Sequence, residues 1–280
     1  MLNRNLFFDC NTPYDEARFI LFGAPFDSTT SFRPGTRFAG RAMRAESCGL
    51  ELYSPYQDKD LENIKICDAG ELELCIGEAE TALNQIEEFT AQVLRDQKCP
   101  VMIGGEHLVS LAAIRAACKK HPDLHIIHFD AHADLRDDYL GAKLSHATVM
   151  RRVWDLLGDG RIYQFGIRSG SRSEFLWGGG HVHTQKFNFD GLENAVCQLK
   201  GKPVYFTFDL DVLDPSVFPG TGTPEAGGAG FNEVMAAVKL LSALNIIGFD
   251  MVELSPVYDQ SGISTAMACK LLRELLLFFN

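Results

Sequence analysis

The chain has 280 residues, 46% hydrophobic and 22% charged, with a formal net charge of −11. This is globular composition, long enough to bury a large core. The acidic balance disfavours nucleic acid and anionic membrane surfaces and suits a small cationic ligand. No apolar run reaches membrane-spanning length, the opening MLNRNLFFDC lacks the apolar core of a secretory signal, and the eight cysteines form no CxxC pair. The expectation is a cytoplasmic protein with reduced thiols and no zinc–thiolate cluster.

In chain order, short apolar runs rich in Ile, Val and Phe predict strands at 18–23, 64–70, 100–105, 124–130, 161–167, 203–209 and 245–251. They lack polar alternation, as strands buried on both faces of a parallel sheet do. Between them, helical spacing predicts helices at 77–98 (Leu83, Ile86, Phe89, Val93, Leu94), 106–118, 189–199, 231–243 and 262–278. The alternation predicts one α/β domain over 1–280 with a mostly parallel sheet. The Gly/Pro-rich stretch 214–230 lies between a strand and a helix and reads as a site loop.

Several of these strands run out into ionisable residues: GGEH (104–107), DAHAD (130–134), FDLDVLD (208–214) and FDMVE (249–253). In a parallel sheet, ligands bind outside the carboxyl ends of the strands, so these groups are delivered to one edge. Asp130, His132 and Asp134 alternate past one strand, Asp209 and Asp211 repeat the device, and His107 adds an imidazole. A lone Asp at a strand end is usually a turn residue. Four carboxylates with two imidazoles and no sulfur instead suit a pair of divalent ions, with Mn(II) favoured and Fe(II) or Co(II) as alternatives, over structural zinc. The motif order excludes a metallophosphatase, and GTGTPEAGG does not open a helix directly after a strand as a dinucleotide fingerprint does. His121, His125, His128, His181 and His183 read as structural or surface residues.

Together with SHATV (145–149), PGTGTPEAGG (219–228), VELSP (252–256) and FGAPFDSTTSFRPGTRFAGRAMR (22–44), these motifs resemble the ordered motifs of the arginase/agmatinase family, in its agmatinase-like branch. The likeness runs from about Phe22 to Pro256. It implies a three-layer α/β/α fold and two Mn(II) per chain. One ion falls to His107, Asp130, Asp134 and Asp209, the other to Asp130, His132, Asp209 and Asp211. It also implies His146 as catalytic histidine, Glu253 as anchor of the guanidinium and Thr223 as a site-lining residue. Asp134, a ligand with a spare oxygen, can orient the attacking hydroxide, and Asp134 or His146 supplies the proton to the departing amine. A homo-oligomer, trimer or hexamer, is the family expectation. Glu106, Ala133 and Ala226 depart from common family residues without removing a ligand.

The expected reaction releases urea from a guanidino compound, with agmatine the favoured substrate. Asp137 and Asp138, just past the DAHAD ligands, are the expected acceptors for its distal ammonium. Aminopropylagmatine ureohydrolase, guanidinobutyrase, arginase, formimidoylglutamase and a metal-binding but inactive paralogue are the competing readings.

Overall fold

A computed structural model describes residues 5–280. Eight strands form one sheet: β1 (Phe19–Gly23), β4 (Ile66–Glu71), β5 (Cys99–Ile103), β6 (His125–Phe129), β7 (Ile162–Ile167), β8 (His183–Lys186), β9 (Pro203–Asp209) and β10 (Asn245–Val252). A separate antiparallel ribbon pairs β2 (Tyr53–Ser54) with β3 (Lys59–Asp60). The sheet order is β4-β1-β5-β10-β9-β6-β7-β8, and every pairing in it is parallel. All seven predicted strands are present. The eighth, β8, escapes sequence reading because HTQK is polar and half exposed at the sheet's margin, so it carries no apolar signal.

Eight helices cover the sheet: α1 (Ala39–Ser47), α2 (Ala79–Arg95), α3 (Val109–Lys120), α4 (Val149–Leu157), α5 (Arg172–Gly178), α6 (Leu192–Leu199), α7 (Phe231–Leu241) and α8 (Ile263–Phe278). Alternate side chains along each strand go to opposite faces, so β9 sends Val204, Phe206 and Phe208 into the core shared with α1, α6, α7 and α8. Tyr205 goes to the other core, with α2, α3 and α4. This is the three-layer α/β/α arrangement expected from the sequence. Of the described residues, no helix is long and apolar enough to cross a membrane.

Two features aim the sheet at a site. From β5 the order continues outward to β1 and β4, and from β6 it continues the other way to β7 and β8, with β10 and β9 between. The strand order therefore runs outward in opposite senses on the two sides of the four central strands, the switch-point geometry that opens a crevice at their carboxyl ends. The second feature is a row of polar side chains on one face, in cross-strand register: Thr184, Gln164, His128, Thr207 and Asp250. It runs through β8, β7, β6, β9 and β10 directly beneath that crevice.

Candidate active site

The first ligand group is built by the turns after three central strands. The GG of GGEH bends the chain so closely under β1's exit that a Cβ on Gly105 would stand 1.8 Å from the Phe26 carbonyl oxygen. Only glycine fits there, and the turn that results puts His107 over the crevice. Its Nδ1 lies 3.1 Å from Asp130 Oδ2, 3.1 Å from Asp134 Oδ2 and 3.3 Å from Asp209 Oδ2. That buried nitrogen makes no hydrogen bond of ordinary geometry. Its partner nitrogen explains the tautomer. Thr207 donates its hydroxyl to Asp250 Oδ1 at 2.8 Å, so His107 Nε2, 3.0 Å from Thr207 Oγ1, carries the proton and donates. An imidazole whose second nitrogen is held this way presents Nδ1 as a ligand. Three carboxylate oxygens 3.1 to 3.3 Å from one imidazole nitrogen suit bonds of roughly 2.0–2.2 Å to one shared ion.

The second group adjoins it. His132 Nδ1 is 2.9 Å from Asp211 Oδ2 and 3.5 Å from Asp130 Oδ1. Asp209 ends β9, and the 3-10 turn that follows (Leu210–Val212) brings Asp211 back to its side, with the Asp211 amide donating to Asp209 Oδ1 at 2.8 Å. Ala131 N–H fixes the other Asp211 oxygen at 3.1 Å. Asp130, Asp134, Asp209 and Asp211 are all buried. Burial, then Asp211 and Asp130, hold the Asp209 carboxyl well above the usual carboxylate range, and burial with Asp130 raises Asp134. His128, His107 and His132 outweigh burial at Asp130 and hold it well below. Against burial, Asp130, Asp134 and Asp209 hold the His107 imidazole well above its usual range, and Asp211 and Asp130 do the same for His132, so the acid cluster draws positive charge to these nitrogens. Divalent ions fit it.

His128 was expected to be merely structural, and it is more than that. Gln164 Nε2 donates to the Ala133 carbonyl at 2.7 Å and to His128 Nδ1 at 3.0 Å, leaving the His128 Nε2–H to donate to Asp130 Oδ2 at 2.7 Å. Thr184 donates to Gln164 Oε1 at 3.0 Å. The buried polar row thus sets the orientation of the carboxylate proposed to serve both ions.

A cavity of about 270 Å³ opens over the ligands, lined among others by Ser31, Arg136, Tyr139, His146, Ser171, Glu174, Thr223 and Glu253. Glu253 follows β10 with φ 66, and Asp134 has φ 53. Left-handed backbone at two ionisable non-glycine residues is the strain that binding sites hold. The Glu253 turn is tied down by its N–H to the Gly105 carbonyl at 3.0 Å, and its Oε1 accepts from His107 N–H at 2.8 Å. Burial pushes its carboxyl up to about 8 against the pull of His146. Thr223 Oγ1 stands 3.3 Å from Asp211 Oδ2, so the 214–230 loop reaches the ligand turn.

Asp137 and Asp138 do not line this cavity. Asp137 pairs with Arg152 on α4 at 2.7 Å, and Asp138 accepts the Gly141 amide at 2.9 Å. Both are loop acids engaged elsewhere, so this cavity gives no support to them as distal acceptors. A carboxylate that does line the cavity is Glu174, which closes the capping box with Ser171 at the start of α5; as a helix cap it carries no sequence signal of a site. It accepts from Leu135 N at 3.1 Å and from Ser171 N at 2.7 Å, with Arg136 Nε 3.3 Å away. Replacing Asp137 and Asp138 by Asn is expected to change kcat/KM less than about twofold, the ordinary reach of screened surface charges. A larger loss in steady-state assays would return them to the site.

The sequence profile of the Arginase family matches residues 17–278. The chain belongs to this family. It is 47% identical to the agmatinase of Bacillus subtilis, over 95% of this chain and 93% of that one. With the agmatinase of Bacillus cereus it shares 45% identity, over 97% and 95%. A crystal structure of a putative agmatinase from Clostridium difficile superposes with a TM-score of 0.93 at 52% identity, covering 95% of this chain and 98% of the other. The arginase-family fold thus agrees with the parallel sheet and its carboxyl-end crevice, built here strand by strand.

Proposed function

We propose that the protein is a ureohydrolase that hydrolyses agmatine to putrescine and urea, using two Mn(II) held by His107, Asp130, His132, Asp134, Asp209 and Asp211. The observation that carries this reading is that His107, His132, Asp134, Asp209 and Glu253 line one cavity, beside a cluster of Asp130, His132 and Asp211 that could hold an ion. The names of the relatives support the choice of agmatine. By the family resemblance, the proposal extends to a cytoplasmic homo-oligomer.

When bound, the ions supply Lewis-acid charge that lowers the pKa of water from about 15.7 towards neutrality. The chain's own residues do the rest. Glu253 Oε2 is free to accept from the planar guanidinium while Oε1 holds the His107 turn, and carboxylate–guanidinium pairing is strongly oriented. That carboxylate, with Thr223 beside Asp211, fixes the substrate carbon above the ligands. Asp134, turned into the cavity by its left-handed backbone, orients the attacking water. His146 supplies the proton that the departing amine needs. Burial pulls the His146 imidazole down, but Glu106, Glu253 and Asp134 around it hold it above its usual value, which suits an acid.

Arg136 is the one observation favouring a second reading, because a guanidino acid such as guanidinobutyrate would set a carboxylate near it. Glu174 beside it offsets its charge. Urea release from agmatine, aminopropylagmatine, arginine and guanidinobutyrate tests the proposal. The cationic amines are expected to have the highest kcat/KM. A higher value for either acid overturns the substrate, and release from none overturns the reaction.

A further inference from the structure

The segment from Asp27 to Pro34, between β1 and α1, touches the ring of His146 at both nitrogens. Thr29 C=O lies 3.0 Å from His146 Nδ1, and Ser31 Oγ lies 3.1 Å from His146 Nε2. A carbonyl only accepts, so Nδ1 carries a proton in either charge state of the ring. In the neutral ring Nε2 is therefore bare and accepts the Ser31 hydroxyl. In the imidazolium, Nε2–H donates to Ser31 Oγ.

The segment is held for this contact. Glu106, buried in the GGEH turn, accepts from Thr29 N at 2.8 Å and, with its other oxygen, from Thr29 Oγ1 at 2.6 Å. The Thr29 hydroxyl oxygen in turn accepts the His146 amide at 3.3 Å. One glutamate thus fixes the peptide that fixes the ring. Ser31 lines the same cavity as Glu253 and Thr223, and on the same flank a Cβ on Gly222 would come within 2.7 Å of the Arg33 carbonyl oxygen. The segment packs on the loop that carries Thr223, so Ser31 reaches the ring from within the cavity that Glu253 and Thr223 also line.

We propose that Ser31 is a further catalytic residue, its hydroxyl passing the His146 proton to the leaving nitrogen, with Glu106 and Thr29 as the clamp that points the ring at it. The inference rests on the ureohydrolase reading. As the C–N bond breaks and its electron pair stays on nitrogen, the Ser31 O–H proton moves to that nitrogen. The His146 Nε2 proton moves to Ser31 Oγ in the same event. Serine ends unchanged and the ring ends neutral. The proton given up by the attacking water restores the imidazolium.

Ser31→Ala in the metal-loaded enzyme is expected to lower kcat about tenfold or more on an alkylguanidine, with KM within about twofold, since positioned acids contribute about 10²–10⁴ and a water replaces the hydroxyl imperfectly. Ser31→Thr keeps the hydroxyl and is expected to restore most of the rate. The deficit should shrink towards unity with an alkoxyguanidine, whose weakly basic leaving amine needs less proton transfer, whereas a loss of packing would be indifferent to the leaving group. Unchanged kcat in Ser31→Ala, or a deficit that ignores the leaving group, overturns the proposal while wild-type urea release keeps the ureohydrolase reading standing. A readout independent of turnover is nitrogen NMR of histidine-labelled protein in Mg(II). The neutral His146 ring is expected to be protonated at Nδ1, with the Nε2 signal moved by Ser31→Ala. A ring protonated at Nε2, or a signal that does not move, overturns the proposal even if no substrate is turned over.

Discussion

Asp209→Asn is expected to stabilise the metal-free protein and to destabilise it in Mn(II) relative to wild type. Asp209 is buried at the end of β9 beside Asp211 and Asp130, and its carboxyl is held well above its usual value. For an acid raised on folding, the stability contribution is complete below the unfolded pKa of about 3.9 and is lost as pH rises through the folded value. At neutral pH, where the unfolded carboxyl is ionised, keeping this group buried beside Asp211 and Asp130 is therefore a cost in either protonation state, and a neutral isostere removes it. With metal the sign reverses. Ions that bind only the folded chain stabilise it by about 2.7 kcal/mol per site at a hundredfold excess over Kd. Asp209, like Asp130, is expected to hold both ions, so its loss reduces that term more than loss of a ligand to one ion. Thermal melts in EDTA and in Mn(II) read both signs. Metal analysis should approach two ions per chain in wild type and fall to one or fewer in the variant, with activity lost. Asp130→Ala should lose metal and activity in the same way. Full activity in thoroughly chelated wild-type protein would sink the metal assignment.

That cluster was legible before any coordinates because its members are short-range. Asp130, His132 and Asp134 alternate past one strand, Asp209 and Asp211 past another, and parallel-sheet physics delivers strand ends to one crevice. What stayed hidden is what the sheet assembles across strands. His128, Gln164 and Thr184 lie tens of residues apart in sequence and meet only because β6, β7 and β8 pair in a register that stacks them side by side. No local pattern reports such a row, and His128 on its own looks like any histidine in a strand. Ser31 and Glu174 were missed for the same reason, since each reaches the cavity from an element joined to it only by the tertiary fold. For Asp137 and Asp138, nearness in sequence to the ligands suggested nearness in space, but Arg152 and the Gly141 turn engage them and neither lines the cavity. Strand β8 was invisible because a half-exposed marginal strand needs no apolar run.

Glu253→Gln is expected to lower kcat/KM by about 10- to 100-fold while both metals stay bound. The variant keeps the shape of the side chain, and its amide oxygen still accepts the His107 N–H that Glu253 Oε1 now holds at 2.8 Å. The turn that positions His107 therefore has no reason to move, and the bond from Glu253 N to the Gly105 carbonyl at 3.0 Å is untouched. The change falls on the other oxygen, where an NH2 replaces an acceptor. A guanidinium offers only donors, so donor meets donor and a charged hydrogen bond in a buried site is lost. Such bonds are worth about 1.5–3 kcal/mol, and each ~1.4 kcal/mol is tenfold in rate. The loss should fall on kcat/KM for every guanidino substrate alike, because the guanidinium is what they share. A narrower effect, confined to agmatine, would move Glu253 from the head of the substrate to its tail. Metal analysis of the same preparation separates the two ways of failing. If metals are lost with activity, Glu253 acts through the His107 turn rather than on the substrate. Wild-type kinetics with metals in place would end its assignment as the guanidinium anchor.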